Sequence, residues 1–375
     1  MSAYFDHNAT TALHPAAREA WLKAIDKHWQ NPSSLYREAG YASQALESAR
    51  ERLADLLGAE PERIVFTSGA TESNNTLFAG LARCLSPDAV VAISAIEHPS
   101  VCEAARAWLG RARVHEIPVD AEGIVQPEAL RSVIAQEQPA FVSVMAANNE
   151  SGVLQPWLVL AEICREHQVR FHSDASQWLG KVDATSLAHC DYVTGSAHKF
   201  GGPKGCGFLL LADAAESFPL LHGGPQEQSR RAGTENYPAI EAMVTALENL
   251  VPQLSAIRYV QEPLRDAFIQ QMKAAFPKLR IISGNAPRLW NTVLMVMPEH
   301  SNLKWLTRLS RLGFAISTGS ACSTGKEGSS VVVNALGASW EELRSVVRIS
   351  GGWQTSPEDW AALAEAFVQV SKDLK

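Results

Sequence analysis

Residues 192–211 read YVTGSAHKFGGPKGCGFLLL and carry the clearest fold signal in the chain. Two apolar runs, 192–194 and 207–211, are typical of buried strands, and a turn rich in glycine and proline separates them. Similar apolar runs occur upstream, with helical patterns between them, at residues 64–67, 90–94, 114–118, 141–146 and 169–173. This alternation predicts an α/β domain in which parallel strands are joined by helical crossovers.

The pattern changes after about residue 250. Helical patterns there cover residues 253–276 and 357–374, and strand patterns cover 292–297 and 314–317. A chain of 375 residues is long enough for one large α/β domain and a second, smaller one. We therefore predict two domains, with the smaller one at the C-terminal end.

Composition excludes several classes of protein. The net charge is -7 and there is no run of Lys or Arg, so nucleic acid is not an expected partner. No apolar stretch is long enough to span a bilayer, and Asp6 and His7 interrupt any signal-peptide pattern. Because the six cysteines form no C-x-x-C pair, no metal site is predicted. We expect a cytoplasmic protein without membrane contact.

The turn TSGATES, residues 67–73, follows a strand pattern and precedes a helix that we expect to begin near Glu72. Backbone N–H groups, small residues and hydroxyls at the positive end of a helix form a good phosphate site. Ser and Thr also favour helix starts for reasons of capping alone. The pattern by itself leaves both interpretations open.

Two charged residues follow neighbouring strand patterns. Asp174 comes at the carboxyl end of one strand, where open α/β sheets bind ligands, and its carboxylate could keep a pyridinium nitrogen protonated. A helix N-cap is the alternative role for this aspartate. Lys199 lies between His198 and a Gly-Gly-Pro turn. Burial and neighbouring cations would lower the pKa of Lys199 and leave its amine nucleophilic toward an aldehyde, whereas a loop lysine is more often solvated.

Cys322 lies in the stretch STGSACSTGK, residues 317–326. A core would not favour such small and polar neighbours, and a cysteine on a loop of this composition is exposed and mobile. That setting is typical of a reactive thiol, although an incidental surface cysteine would look the same.

In this order, these segments resemble the cysteine desulfurases of the class V aminotransferase fold over almost the whole chain. The resemblance is carried by YFDHNATT (4–11), NPSS (31–34), SGATES (68–73), SAHK (196–199), RAGTEN (231–236) and STGSAC (317–322). It implies an α/β fold of the pyridoxal-phosphate transferase type, aspartate aminotransferase-like fold type I, with a mostly parallel central sheet. The implied division is an N-terminal segment at 1–15 that joins the small domain, a large cofactor-binding domain at 16–250, and a small α+β domain at 251–375 that carries the Cys322 loop.

The resemblance also implies the site residues. Lys199 would hold pyridoxal 5'-phosphate as a Schiff base, His98 would stack on the ring and move protons, and Cys322 would carry a persulfide. Asp174 would pair with the pyridine nitrogen and Gln177 with the phenolic oxygen. The remaining implied cofactor contacts are Ala70, Thr71, Asn149, Ser196, His198 and Thr234, the last from the partner subunit of a homodimer. The implied substrate contacts are Asn8, Asn149 and Arg348.

The implied reaction converts L-cysteine to alanine and delivers sulfur from Cys322 to an acceptor protein. Selenocysteine lyase, cysteine sulfinate desulfination and transamination are alternatives on the same fold, and a silent scaffold for sulfur-transfer partners is a third class. The chain departs from the family pattern at KEGSS (326–330), at Asn334 and by ending at Lys375. These departures leave open whether the acceptor is an iron–sulfur scaffold or a more specialised protein.

Overall fold

A computed structural model describes residues 3–319 and 330–374. In that part of the chain the strands are β1 (Ala3–Tyr4), β2 (Ile64–Thr67), β3 (Val91–Ser94), β4 (Val114–Ile117), β5 (Phe141–Ser143), β6 (Arg170–Asp174), β7 (Tyr192–Ser196), β8 (Gly207–Leu210), β9 (Arg280–Ile281), β10 (Thr292–Val296), β11 (Phe314–Ala315) and β12 (Val346–Ser350). The helices are α1 (Pro15–Lys27), α2 (Arg37–Leu57), α3 (Ala70–Cys84), α4 (Pro99–Leu109), α5 (Pro127–Glu137), α6 (Trp157–Glu166), α7 (Gln226–Ser229), α8 (Tyr237–Leu250), α9 (Leu254–Ala275), α10 (Asn302–Arg311), α11 (Val331–Ala335), α12 (Trp340–Leu343) and α13 (Pro357–Asp373).

The large sheet has the order β2-β8-β7-β6-β5-β3-β4. All neighbouring pairs are parallel except those of β8, which runs antiparallel to both β2 and β7. The connection between β7 and β8 is too short for a helical crossover, and a short connection reverses the chain direction. The predicted α/β fold with a mostly parallel sheet is thus present, with β8 as the exception to the parallel pattern.

Successive residues of the central strands enter two separate hydrophobic cores. Ile93 and Phe141 pack with side chains of α3 and α4, whereas Ala92 and Val142 pack with the cluster that includes α1, α2, α5, α6 and α8. Because successive side chains of a strand point to opposite faces, both faces of the sheet are covered by helices. The near-continuous apolar runs of the sequence result from this burial on two sides.

A second sheet, with the order β12-β10-β9, is antiparallel. Its core contains residues of α9, α10 and α13, and Phe5 from the N-terminal segment is fully buried in it. β1 also pairs with β11 in parallel. Residues 3–6 therefore pack with the C-terminal part of the chain, whereas the N–H groups of Thr11 and His14 donate to the carbonyls of His198 and Gly201 in the segment after β7. The domain boundaries given above remain a prediction.

The parallel strands place the ends of several motifs at one edge of the large sheet. Segments 67–71, 94–98, 174–177 and 196–199 follow β2, β3, β6 and β7 and meet there. Ligands of open α/β sheets bind at the carboxyl ends of the strands. Among the described helices, none combines the length and apolar character that crossing a membrane requires.

Candidate active site

A cavity of about 500 Å³ lies at this edge of the sheet. Its lining includes most of the predicted site residues: Asn8, Ala70, Thr71, His98, Asn149, Asp174, Gln177, Ser196, His198, Lys199 and Arg348. Among the described residues that line this cavity, Thr234 does not occur. Cys322 lies outside the described residues. Segments far apart in sequence therefore converge on one small-molecule site.

Asp174 is the last residue of β6 and its carboxylate is buried at the cavity. Oδ1 accepts a hydrogen bond from the Ser176 backbone N–H at 2.9 Å, and Oδ2 accepts one from Asn74 Nδ2 at 3.2 Å. Asn74 Nδ2 also donates to Ser100 Oγ at 2.9 Å. The bond to Ser176 shows that Asp174 does cap a local turn, while its position leaves the carboxylate beside the cavity.

Lys199 ends a short 3-10 turn, Ala197–Lys199, directly after β7. Its Nζ donates to the carbonyl oxygens of Asn8 and Ala9, both at 2.9 Å, so the N-terminal segment lies beside the amine. The Ala197 carbonyl accepts a hydrogen bond from the Phe200 N–H at 3.1 Å, which closes the turn, and a second one from the Gly202 N–H at 2.9 Å. The Lys199 amine is therefore held inside the cavity by a fixed backbone.

The start of α3 lies where a phosphate site was expected. The helix begins at Ala70, two residues before the predicted start, and runs for 15 residues. Gly69 is its N-cap with φ 145°, a conformation that L residues rarely adopt, and it has no side chain to cap the helix. The first N–H groups of α3, at Ala70 and Thr71, therefore lie at the cavity wall, where the helix dipole favours an anion.

His98 is the N-cap of α4, and its Nδ1 accepts a hydrogen bond from the Ser100 N–H at 3.1 Å. Burial lowers the pKa of His98; the Asp174 charge opposes this shift and the Lys199 charge adds to it. The imidazole is consequently neutral near pH 7. A neutral imidazole can accept a proton from a neighbouring group.

Arg348 lies on β12 and is almost completely buried. One terminal nitrogen donates to the carbonyl oxygens of Asn149 and Gly319, both at 3.1 Å, and the other pairs with Asp6 at 2.6 Å. Its Nε has no hydrogen-bond partner among the described residues. Asn8 adds a bond from Nδ2 to the Asn149 carbonyl at 3.2 Å. The guanidinium thus joins three segments at the cavity and retains a donor for a carboxylate ligand.

Glu97, to which no sequence pattern gave a role, also lines the cavity. Its Oε1 accepts bonds from Ser94 Oγ at 2.8 Å and from the Met145 N–H at 2.7 Å. Burial raises the pKa of Glu97 to about 8, and the nearby Asp174 charge contributes to the shift. The available sequence signal was its position immediately before His98 and after a strand.

These residues fit pyridoxal phosphate. The cavity holds an amine for covalent attachment, a carboxylate for the ring nitrogen and a helix start for the phosphate, and its volume lies within the roughly 300–1,000 Å³ of small-molecule sites. Ser176 Oγ, in the same wall, is buried without a hydrogen-bond partner among the described residues. A bound polar ligand would supply the missing partner.

The class-V aminotransferase family model matches residues 3–363. The chain belongs to the class-V aminotransferase family. Its predicted fold type I architecture and its dependence on pyridoxal phosphate are thereby confirmed.

Among similar proteins, a cysteine desulfurase IscS from Methanosarcina thermophila is 36% identical, with 100% of this chain and 93% of that protein covered. A solved NifS-like protein from Rickettsia africae has a TM-score of 0.88 at 30% identity, covering 99% of this chain and all of that one. A structure described as SspA in complex with cysteine has a TM-score of 0.79 at 31% identity and covers 93% and 98% of the two chains. The resemblance to cysteine desulfurases is confirmed.

Proposed function

We propose that this chain is a cysteine desulfurase that transfers the sulfur of L-cysteine to Cys322. The observation that carries the proposal is the meeting of Lys199, Asp174 and the start of α3 around one cavity. The activity of the similar proteins, which are named cysteine desulfurases, supports this choice among the reactions of the fold.

The positions of these residues around the cavity support the cofactor contacts that we propose. Lys199 forms the covalent link, Asp174 pairs with the ring nitrogen, and the N–H groups of Ala70 and Thr71 bind the phosphate. Ser196 and His198 complete the phosphate side of the cavity. When bound, pyridoxal phosphate supplies an electron sink for the bonds of the substrate α-carbon.

The substrate is proposed to bind through its carboxylate to Arg348, with Asn8 and Asn149 beside it. The Nε–H of Arg348, buried and without a partner among the described residues, supports this role. A guanidinium is also the side chain best suited to a carboxylate, because it presents several N–H donors in one plane.

In the proposed sulfur transfer, one S–S bond forms and one C–S bond breaks. The Cys322 thiolate forms an S–S bond to the substrate sulfur, and the substrate C–S bond breaks. The electron pair of that bond stays with the β-carbon, which takes up a proton and becomes the methyl group of alanine. Cys322 is left as a persulfide, so no external oxidant or reductant is needed.

Two side chains are proposed to handle protons. Lys199 would be the base that takes the proton from the substrate α-carbon. His98 accepts the proton of the Cys322 thiol, because only the thiolate is a good nucleophile. The lowered pKa of His98 supports this role, since its imidazole is neutral before the reaction.

We further propose that the enzyme is a homodimer in which Thr234 contacts the phosphate of the partner subunit. Thr234 is exposed on its own chain, and its segment is anchored near the cavity by the ion pair between Arg231 Nε and Glu72 Oε1 at 2.9 Å. The acceptor of the persulfide is an iron–sulfur scaffold or another carrier protein. The cytoplasmic location stays a prediction.

The experiment that tests this function is incubation of the purified holoenzyme with L-cysteine, followed by measurement of alanine and protein-bound persulfide. We expect both products from the native chain, and neither persulfide nor sulfide from Cys322→Ser, which retains cofactor binding. Selenocysteine and cysteine sulfinate are assayed in parallel. Alanine formation at the native rate by Cys322→Ser would contradict the role of Cys322, and faster turnover of another substrate would identify an alternative reaction.

A further inference from the structure

Lys181 lies behind the cavity wall and is not used in the proposed mechanism. It is buried, with 6% of its surface exposed. Its Nζ has three oxygen neighbours: Gln177 Oε1 at 3.2 Å, the Gln177 carbonyl at 3.3 Å and the Lys199 carbonyl at 3.4 Å. An ammonium group has three donors and no acceptor, so this arrangement satisfies every N–H of the group.

The contacts of Lys181 determine which way the Gln177 carboxamide points. Lys181 Nζ lies at its Oε1, while its Nε2 donates to the Asn8 carbonyl at 2.9 Å. The reversed amide would place NH₂ against the Lys181 amine and an oxygen against the carbonyl, which is unfavourable at both ends. Nε2 has a second N–H, and Gln177 lines the cavity. The contact with Lys181 therefore favours an amide that presents a donor to a ligand.

The surroundings of Lys181 are unusual for a buried lysine. Among residues 3–319 and 330–374, no carboxylate forms an ion pair with it, although buried lysines are almost always paired. Burial, and then the Lys199 charge, lower the pKa of Lys181 to about 7. The charge of Lys181 contributes in turn to the lowered pKa values of His7 and His198, for which burial is the main cause. Burying a lysine in these surroundings costs free energy. Because Lys181 contacts two site residues, Gln177 and Lys199, we expect it to act on the site.

We propose that Lys181 is a positioning residue of the cofactor site, which orients the Gln177 amide toward the cofactor and ties it to the backbone of Lys199. The inference rests on the proposed function, in which Gln177 donates a hydrogen bond to the phenolic oxygen of the cofactor. Lys181 does not itself touch the cofactor. Its effect is transmitted through Gln177 and the Lys199 carbonyl.

The test is a pH titration of the visible absorbance of the cofactor bound to Lys199. In Lys181→Met we expect the midpoint to rise by about one pH unit, the equivalent of one hydrogen bond. Without an oriented donor, the phenolic oxygen holds more negative charge and retains the proton that it shares with the Lys199 nitrogen. Removal of a nearby cation acts in the same direction. The titratable and charged side chains that line the cavity with Lys199 are unchanged in this variant: Glu72, Glu97, His98, Glu150, Asp174, His198, Lys204 and Arg348.

A double variant separates positioning from general damage. Gln177→Leu alone should raise the midpoint, and adding Lys181→Met to it should cause a clearly smaller rise than Lys181→Met causes in the native chain, because the amide through which Lys181 mainly acts is gone and only the loss of its charge remains. Lys278→Met removes an exposed lysine and serves as the matched control, with an unchanged midpoint. If the shift of the double variant equals the sum of the shifts of Gln177→Leu and Lys181→Met, the proposal is overturned.

Thermal unfolding of each cofactor-free variant shows whether it folds. Lys181→Gln is a second variant, because its shorter side chain keeps N–H donors; we expect a smaller rise of the midpoint in the same direction. An unshifted midpoint in the folded Lys181 variants that bind cofactor would reject the positioning role. Failure of the native chain itself to bind pyridoxal phosphate would instead reject the proposed function.

Discussion

At the scale of the residue, burial keeps several titratable groups of the site neutral. It raises the pKa of Glu97 to about 8 and lowers that of His98, and it lowers the pKa of His198 to about 4. A neutral Glu97 does not compete with Asp174 for the ring nitrogen. The chemistry of the cavity therefore depends on burial as much as on the residues that react.

His172 provides a pH-dependent prediction. It is fully buried in β6, where Nδ1 lies 2.9 Å from Ser143 Oγ, and burial lowers its pKa. The pKa of His172 is lower in the folded state than in the unfolded state, so the unfolded state takes up a proton first as the pH falls. The contribution of neutral His172 to the unfolding free energy is therefore complete above pH ~6.5 and is lost as the pH falls below that value. When the pH falls from 7 to 5, the unfolding free energy of the native chain should decrease by up to about 2 kcal/mol more than that of His172→Asn.

Urea unfolding of the cofactor-free protein at the two pH values measures this difference. His222→Asn, at an exposed position, is the control and should follow the native chain. The same loss of stability in the native chain and in His172→Asn would show that His172 takes up a proton in the folded state as readily as in the unfolded state.

The side chains that the sequence could predict are those in short motifs with a chemical reason, such as Asp174 after a strand and Lys199 before a Gly-Gly-Pro turn. The cavity includes both. Lys181 gave no such signal, since a single lysine four residues after Gln177 looks like an ordinary solvated charge. Two of the three oxygens at its amine belong to Gln177, and only the packing of the 177–181 turn against the Lys199 backbone brings the third.

At the scale of the element, the start of α3 depends on Gly69. A side chain at φ 145° is strained, and a Cβ there would lie 3.4 Å from Ser196 Oγ. Gly69→Ala should reduce the unfolding free energy by about 1–3 kcal/mol and weaken cofactor affinity by at least roughly tenfold.

Gly40 is a matched control for that variant. It lies inside α2, and nothing stands within 4 Å of the position of its missing Cβ. Gly40→Ala should therefore stabilise the protein by about 0.5–1 kcal/mol and leave cofactor affinity unchanged. Chemical denaturation and fluorescence titration with pyridoxal phosphate measure both quantities. A stabilising Gly69→Ala change would contradict the described start of α3.

Hydrophobic patterning predicted where strands occur better than how they run. The pattern at 64–67 coincides with β2, and that at 292–297 exceeds β10 by one residue. The direction of β8 was not predictable from its apolar residues, because burial on two faces gives the same pattern in parallel and antiparallel strands. Connection length was the available signal, since about ten residues separate β7 and β8.

At the scale of the whole molecule, the cavity lies where distant parts of the chain meet. Arg348 of the antiparallel sheet binds Asp6 of the N-terminal segment and the carbonyl of Asn149, which follows β5 of the large sheet. Hydrophobic patterns predict neither contact, because each joins polar groups separated by about 200 residues or more. The family resemblance was the only sequence signal that placed Asn149 and Arg348 together, and no sequence signal placed Asp6 beside them.

The proposed dimer is testable by mixing inactive chains. If Thr234 serves the partner subunit, a dimer of Lys199→Ala and Thr234→Ala chains has one doubly damaged site and one intact site. Random exchange should restore about a quarter of the native activity per site, since half of the dimers are mixed and each has one intact site. Mass spectrometry verifies that the subunits have exchanged. If no activity returns after verified exchange, the shared site is rejected.

Attachment of the cofactor at Lys199 is the claim on which the proposed chemistry rests. Borohydride reduction of the holoenzyme, followed by peptide mapping, identifies the lysine that carries pyridoxal phosphate. We predict that the label lies on Lys199, whose amine is held inside the cavity. A label on Lys181 or on Lys204 would contradict the account.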